Sequence, residues 1–183
     1  MVLENYVANV KIEVDETYTI DSVDNRYYDI TLNPFGYKRG DHVKTLAVSV
    51  DLFTKNYSIA LIGCYSLRES ECAILEDNLL TVLMDYQVVQ IDLTSGAVVC
   101  DKALNTMGFN YAIYKVDRGY LLHGDVQITM LDTNFQEKWT FAGEDIFSSV
   151  TGKNSFEMKK DRICLYDFCD NYYELDYDGN RIK

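Results

Sequence analysis

The chain has 183 residues, of which 48% are hydrophobic and 25% charged, and its formal net charge is −12. This length suits one globular domain with a core of its own, and the composition excludes a disordered chain. The negative charge disfavours nucleic-acid binding, because a phosphate backbone would be repelled. The densest basic clusters in the sequence are only Lys38-Arg39 and Lys159-Lys160.

The N-terminal stretch MVLENYVANVKIEV lacks the basic start and the apolar run of a signal peptide. No segment approaches the roughly 20 apolar residues that a membrane-spanning helix needs. The cysteines are odd in number and show no CxxC spacing: Cys64, Cys72, Cys100, Cys164 and Cys169. Such cysteines are typical of free thiols in a reducing compartment. We therefore expect a cytoplasmic protein without membrane segments.

Strand signals begin near the N-terminus. Two alternating stretches, 7–14 and 26–32, precede a loop around the only proline, Pro34. The whole chain has 15 Tyr and 8 Phe, a composition that favours strands. We expect residues 1–43 to complete the first of the repeats described next, or to cap an exposed sheet.

Residues 44–183 contain a repeat with a period near 40–44 residues. Its marker is an aspartate that ends an alternating apolar stretch, as in VQIDLTSG; the copies are Asp51, Asp92, Asp132 and Asp176. A second aspartate precedes three of these markers by 15 residues, at Asp77, Asp117 and Asp161. The first copy has Gly36 at the corresponding position, which makes it the weakest repeat.

Each clear repeat divides into four short strands joined by turns of two to four residues, the pattern of successive hairpins. The predicted strands are 72–76, 79–84, 87–92, 97–101, 110–116, 119–123, 126–132, 136–141, 155–158, 162–166, 171–176 and 180–183. This predicts an all-β fold of consecutive four-stranded antiparallel meanders. The repeats 44–71, 72–109, 110–154 and 155–183 would together form one domain.

The segment QIDLTSGAVV resembles the outer hairpin of quinoprotein-type (pyrroloquinoline-quinone) β-propeller blades. In that family an apolar strand, an aspartate and a polar turn with glycine precede a strand that often ends in tryptophan, here Trp139 of LDTNFQEKW. The resemblance covers about residues 72–183 and implies a propeller-like fold. The tryptophan pattern is not present in every copy, so the resemblance does not imply a bound quinone, and we expect no cofactor.

The number of repeats leaves three architectures open, since a closed ring needs about four blades. The chain could be a small four-bladed ring, an open stack of meanders, or half of a ring completed by a second copy. The third alternative would make the protein a homo-oligomer.

The recurring aspartates are interpreted as turn residues. An aspartate at a turn accepts a hydrogen bond from a backbone N–H two residues on, and so replaces the ladder where a strand ends. Recurrence in every repeat argues against one shared active site. The predicted structural turn residues are Asp77, Asp92, Gly96, Asp117, Asp132, Asp161, Asp176 and Gly179.

A second set of acids, Asp85, Asp125, Asp167 and Asp170, would lie on the opposite rim of the repeats. A ring of carboxylates there could bind a cation such as calcium. However, the acids come from separate turns, and the sequence has no D-x-D-x-D-G loop. We therefore predict no metal site.

Catalytic signals are weak. His123 is followed by Asp125, but no serine or cysteine nucleophile is associated with the pair in the sequence. The stretch VTGKN at 150–154 lacks the G-x-x-x-x-G-K-[ST] pattern of a phosphate loop.

One acidic, tyrosine-rich segment at 165–180, LYDFCDNYYELDYDGN, holds five acids, no bases and four tyrosines. Tyrosine is enriched at protein interfaces, and carboxylates favour a basic partner. The predicted docking residues are Asp167, Asp170, Tyr172, Tyr173, Glu174, Tyr177 and Asp178. Alternatively, this segment is simply the last meander, with its aromatic side chains packed inward.

We therefore expect a non-enzymatic cytosolic protein-interaction module that binds another, basic protein, for example an acidic immunity-type inhibitor. The alternative is a carboxylate-based hydrolase acting at a propeller mouth. Its candidate acids would be Asp145 and Asp170, which lie outside the repeat register.

Overall fold

A computed structural model describes residues 1–64, 71–149, 152 and 154–183. The described residues are all-β and contain no helix, which confirms the predicted all-β class. Within these ranges no helix is therefore long and apolar enough to cross a membrane. The strands are β1 (Val2–Glu4), β2 (Asn9–Val14), β3 (Ile30–Leu32), β4 (Lys44–Asp51), β5 (Asn56–Gly63), β6 (Ala73–Glu76), β7 (Leu79–Met84), β8 (Gln87–Asp92), β9 (Ala97–Ala103), β10 (Asn110–Val116), β11 (Gly119–Gly124), β12 (Gln127–Leu131), β13 (Glu137–Ala142), β14 (Phe156–Met158), β15 (Ile163–Tyr166) and β16 (Tyr172–Leu175).

The chain divides into two compact units, Met1–Leu104 and Asn105–Lys183. The first unit contains a five-stranded sheet in the order β1-β2-β4-β5-β3, here called sheet 1, and the meander β6-β7-β8-β9, called sheet 2. Sheets 1 and 2 share one core, in which Val48, Leu61 and Ile91 are fully buried. Alternation along the strands turns one face of each sheet toward this core.

The N-terminal strands join sheet 1, because β2 pairs with β4 along its whole length. The predicted strand 26–32 is shorter than expected: only Ile30–Leu32 is a strand, and it runs parallel to β5. Side chains explain the shortening. The Asp15 carboxylate accepts a hydrogen bond from the Tyr28 hydroxyl at 2.6 Å and lies 3.1 Å from the Arg26 guanidinium, so residues 26–28 contact the start of their own β2–β3 connection and not a strand.

The second unit contains the meander β10-β11-β12-β13, called sheet 3, and the three-stranded β14-β15-β16, called sheet 4. These sheets also share one core, in which Leu121, Ile128 and Leu165 are fully buried. The predicted strand 180–183 is wrong as a full strand, since only an isolated bridge joins Arg181 to Leu175. Beyond that bridge the Glu174 carbonyl accepts the N–H groups of both Ile182 and Lys183, which breaks the regular ladder.

Three aspartates form the same loop at the ends of β12, β15 and β16. In each loop the aspartate N–H donates to the carbonyl of the fourth residue on, and that residue's N–H donates to the aspartate Oδ1. The pairs are Asp132 with Gln136, Asp167 with Asn171 and Asp176 with Asn180. The third residue of each loop has a positive φ: 57° at Phe135, 62° at Asp170 and 85° at Gly179. This is a type I turn followed by a left-handed residue, a common hairpin connection.

Candidate functional site

Asp92 closes the β8–β9 hairpin of sheet 2. Its Oδ1 accepts the N–H groups of Thr94 at 2.7 Å and Ser95 at 3.3 Å, and the Asn78 amide at 3.1 Å. Burial raises the pKa of Asp92, but these hydrogen bonds outweigh it and hold the pKa below its ordinary value. All of these contacts are made to the turns of sheet 2 itself, so the Asp92 carboxylate acts as a turn residue here.

Gly96 completes the same turn with φ of 75°, a backbone conformation that side chains rarely adopt. A Cβ atom at this position would also lie 2.2 Å from the Ile30 Cδ1 atom. The hairpin therefore requires glycine for two reasons, its backbone conformation and the lack of space.

The aspartates that begin turns make different contacts from those that end strands. Asp77 has φ of 50°, and its carboxylate accepts the Tyr6 hydroxyl. Asp117 lies in the short connection between β10 and β11. The Asp161 carboxylate forms an ion pair with its neighbour Arg162 at 2.8 Å.

Two of the predicted docking residues, Asp167 and Tyr173, are buried. The Tyr173 hydroxyl donates to Asp167 Oδ2 at 2.7 Å and accepts the Glu144 N–H at 3.0 Å. Asn171 donates to both oxygens of the same carboxylate. This network connects loops inside the second unit, so neither side chain is presented to a partner.

Tyr172 and Glu174 lie on the face of sheet 4 that is turned away from the shared core. Glu174 accepts the Tyr172 hydroxyl at 2.6 Å and forms an ion pair with Arg162 at 2.9 Å. The hydrogen bond from Tyr172, which has the larger effect, and the ion pair with Arg162 hold the pKa of Glu174 below its ordinary value. The Lys183 ammonium lies 5.2 Å from the Tyr172 ring centroid, so this face carries a charge network within the chain.

Tyr177 and Asp178 lie at the other end of β16. The Tyr177 hydroxyl donates to the Lys159 carbonyl at 2.8 Å, and Asp178 forms an exposed ion pair with Arg118 at 2.9 Å. The seven predicted docking residues therefore do not form one surface. Tyr173 is in the core of the unit, and the other six lie at both ends of sheet 4 and on its outer face.

The opposite end of the second unit carries a surface that was not predicted from the sequence. It consists of four loops, 105–109, 124–126, 143–149 and 167–171, here called the loop platform. The Phe109 N–H donates to Asp125 Oδ1 at 2.7 Å, and the Asp125 N–H donates to the Phe109 carbonyl at 2.9 Å. The Phe147 N–H donates to the Asp125 carbonyl, and the Phe168 N–H donates to the Ile146 carbonyl at 2.8 Å. Hydrogen bonds thus hold the four loops together.

Large apolar side chains are exposed on every loop of this platform except 124–126. Their exposed fractions are 61% for Met107, 57% for Phe109, 39% for Ile146 and 45% for Phe168. Clustered exposed apolar groups are typical of interaction sites, and methionine and phenylalanine are enriched at protein interfaces. The predicted docking residue Asp170 belongs to this platform, where it takes the left-handed position of its loop.

The platform is also acidic. Its four loops contain five acids and no lysine or arginine; the acids are Asp125, Glu144, Asp145, Asp167 and Asp170. Asp145 Oδ1 accepts the Ile146 N–H at 2.8 Å, and Oδ2 accepts the Cys169 thiol at 3.4 Å. The hydrogen bond to Asp145 raises the pKa of the exposed Cys169 thiol, so this cysteine stays protonated at neutral pH.

Met107, Phe109 and Ile146 are functional candidates that the sequence analysis missed. One feature of the sequence could have indicated them. These bulky apolar residues lie in the connections between strands, where they are not part of an alternating pattern that faces a core. What the sequence alone does not reveal is that loops separated by many residues meet at one end of the strands.

Other sequence signals lead to no site. His123 is buried and stacks on the Phe156 ring at 4.3 Å, as a core side chain. In the part of the chain that the structure describes, no group of three or more His, Cys, Asp or Glu residues could hold a metal ion. Of the VTGKN stretch, Val150, Thr151 and Lys153 lie outside the described residues.

Comparison with known proteins adds no functional assignment. No protein-family model matches this chain, and no curated protein matches it significantly.

Proposed function

We propose that this protein is an interaction module that binds a basic partner protein through the loop platform. The observation that carries the proposal is the clustering of Met107, Phe109, Ile146 and Phe168, all exposed, on loops held together by backbone hydrogen bonds. Because the loops are connected to each other, the platform is preorganised, and binding would cost little ordering entropy.

Charge indicates the class of partner. The platform has acids but no bases, and the chain as a whole has a net charge of −12. A basic protein would be steered toward it, and lysine or arginine side chains would pair with Glu144, Asp145 and Asp170 around the apolar centre. An immunity-type inhibitor that covers the site of a basic toxin fits this description.

The architecture that we propose is propeller-like. Sheets 2 and 3 have the same order of four antiparallel strands, and β1, β2, β4 and β5 form a comparable antiparallel set in sheet 1. Solution mass and small-angle scattering test the arrangement. A ring closed within one chain or an open stack predicts a 21.1 kDa monomer, whereas a shared ring predicts a dimer. A featureless, extended scattering profile would contradict all three alternatives.

We also propose a cytoplasmic location, which is supported by the chemistry of the cysteines. All five are free thiols, and Cys169 is exposed. A reducing compartment maintains thiols in this form.

The hydrolase alternative has weaker support. The Asp145 carboxylate is engaged by the Ile146 N–H and by the Cys169 thiol. Asp145→Ala and Asp170→Ala test the alternative, since loss of a measurable glycan-hydrolysing activity in both variants would favour it.

Binding to a defined peptide tests the proposed function. The probe is a short fluorescent peptide of lysine, leucine and tryptophan, compared with an all-lysine peptide and with a neutral leucine–serine peptide. We expect only the first to bind tightly, and its affinity to fall as salt rises, because exposed charges are screened over about 8–10 Å at physiological ionic strength. Phe168→Ser should weaken binding by about tenfold or more, as loss of a central apolar contact does.

The control variant is Val23→Ser, which removes a still more exposed apolar side chain, 97% against 45% for Phe168, from the first unit. It should bind as the unchanged protein does. Equal binding by Phe168→Ser and the unchanged protein, or equal affinity for the all-lysine peptide, would overturn the proposal.

A further inference from the structure

A cleft of about 350 Å³ opens at the end of the second unit opposite the loop platform. Its walls come from the β10–β11 turn of sheet 3, from the loop that precedes β15 and from the loop that follows β16. Four of its lining residues are basic: Lys115, Arg118, Lys159 and Lys160. The sequence separates the two pairs by more than 40 residues, and the packing of sheets 3 and 4 on one core brings them together.

The lining is basic in a chain that is strongly acidic overall. Its acids are Asp117 and Asp178, and Asp178 is paired with Arg118 at 2.9 Å. The Lys159 ammonium lies 3.5 Å from the carboxylate of Glu157, on the strand β14 that Lys159 follows. Among the described residues, no carboxylate lies within ion-pair distance of Lys160, so its charge is available to a ligand. The Lys115 ammonium lies 4.3 Å from the Tyr120 ring centroid. Basic side chains that line one cleft are suited to binding an anion.

The floor of the cleft is apolar and polarisable. Met130 is buried, Met158 and Tyr177 are half-buried, and all three line the cleft. Methionine sulfur and the tyrosine ring make favourable contacts with flat aromatic groups. The Tyr177 ring is held in place by its hydroxyl, which donates to the Lys159 carbonyl at 2.8 Å.

Tyr177 adds no negative charge to the cleft at neutral pH. Burial, together with the carboxylates of Asp117 and Asp161, raises the pKa of Tyr177 above its ordinary value. The phenol therefore stays neutral when the lysines around it are charged.

We propose that this cleft is a binding site for a small organic anion with a flat aromatic body. The aromatic part packs on Met130, Met158 and Tyr177, and the anionic group lies against Lys159 and Lys160. This site is distinct from the loop platform, and the proposal does not depend on the proposed docking function.

The chain contains its own reporter for this site. Trp139 is the only tryptophan, and its Nε1–H donates to the Tyr177 carbonyl at 3.2 Å. Its indole N–H gives a single resonance in a two-dimensional ¹H–¹⁵N spectrum of the full-length protein. A ligand that displaces Tyr177 or its loop therefore shifts one well-defined signal.

The test titrates three probes and follows the Trp139 resonance. The first is anilinonaphthalene sulfonate, an aromatic anion; the second is its uncharged analogue phenylnaphthylamine; the third is inorganic phosphate. We expect a saturable shift with the sulfonate alone. The same affinity for the uncharged analogue would show apolar adsorption, and the same affinity for phosphate would show simple charge binding. Either result, or the absence of a shift with the sulfonate, overturns the proposal.

Two sets of variants locate the binding. The double variant Lys159→Gln/Lys160→Gln should weaken sulfonate binding by about tenfold or more, because charge-assisted contacts are lost. Lys38→Gln/Lys102→Gln removes the same charge from the first unit and should leave the titration unchanged. Phe168→Ser should also leave it unchanged. Loss of the Trp139 response in Phe168→Ser, or unchanged affinity in the cleft variant, would overturn the assignment.

Discussion

At the residue scale, the hydrogen-bond partners of each polar side chain decide its role. Asp167 and Tyr173 stand in the most acidic and aromatic part of the sequence, which predicts a docking surface. In the structure both are buried and bonded to each other at 2.7 Å. Buried polar groups need partners, and here the partners come from the same unit.

Tyr173→Phe should destabilise the second unit by about 1–3 kcal/mol, since it leaves the Asp167 carboxylate and the Glu144 N–H each without one buried hydrogen bond. Urea unfolding followed by Trp139 fluorescence measures the effect. Tyr172→Phe is the matched control, because its hydroxyl contacts Glu174 on the outer face of sheet 4 and water can replace it. Equal effects of the two substitutions would contradict the assigned role of Tyr173.

Gly179→Ala should be more destabilising than an ordinary glycine substitution. The residue has φ of 85°, and a Cβ atom would lie 2.6 Å from the Trp139 ring. The backbone conformation costs about 1–2 kcal/mol and the clash adds about 1–3 kcal/mol. Gly152→Ala, which also has a positive φ but no atom within 4 Å of its Cβ, isolates the backbone cost. Comparing the urea unfolding midpoints of the two variants separates the cost of the clash with Trp139 from the cost of the backbone conformation. Equal losses of stability in the two variants would contradict the predicted clash.

At the element scale, the meanders could be predicted because their determinants are local. The predicted strands 79–84 and 87–92 coincide with β7 and β8, since alternation and turn residues lie within the same short stretch. β3 could not be predicted in the same way. Its parallel pairing with β5 depends on a partner nearly 30 residues away and on contacts such as that of Asp29 with Ser58.

Aspartates at three turns make the stability of the protein sensitive to acid. Hydrogen bonds hold the pKa values of Asp92, Asp167 and Asp176 below their ordinary values in the folded state. A lowered folded pKa stabilises the protein at pH values above the unfolded pKa, about 3.9, and this stabilisation disappears as pH falls through the folded pKa. We therefore expect the free energy of unfolding to fall below about pH 4.

Asp92→Asn tests this dependence at one hairpin. The amide keeps an oxygen acceptor for Thr94 but cannot titrate, so the loss of stability below about pH 4 should be smaller than in the unchanged protein. Urea unfolding at a series of pH values, followed by far-ultraviolet circular dichroism, provides the measurement. Asp24→Asn, at an exposed aspartate, serves as control; an identical acid dependence in Asp92→Asn and the unchanged protein would contradict the role of Asp92.

At the scale of the whole molecule, net charge and the exposed apolar platform act together. The sequence has an isoelectric point near 4.5, where the repulsion between molecules disappears. Exposed apolar groups then promote self-association. Light scattering should therefore show maximal association near pH 4.5, and Phe168→Ser should reduce it more than Val23→Ser does. Equal scattering by the two variants would indicate that the platform is not the main apolar contact surface.

The sequence by itself determined the all-β class, the hairpins of sheets 2 and 3, and the acidic charge. Alternation, turn chemistry and net charge are local or additive properties, so they can be read along one chain. Only the tertiary structure decided that Phe109, Ile146 and Phe168 share one acidic platform, and that Lys115 and Arg118 meet Lys159 and Lys160 at a cleft. These groups are far apart in the sequence, and the pairing of strands and the packing of sheets 3 and 4 bring them together.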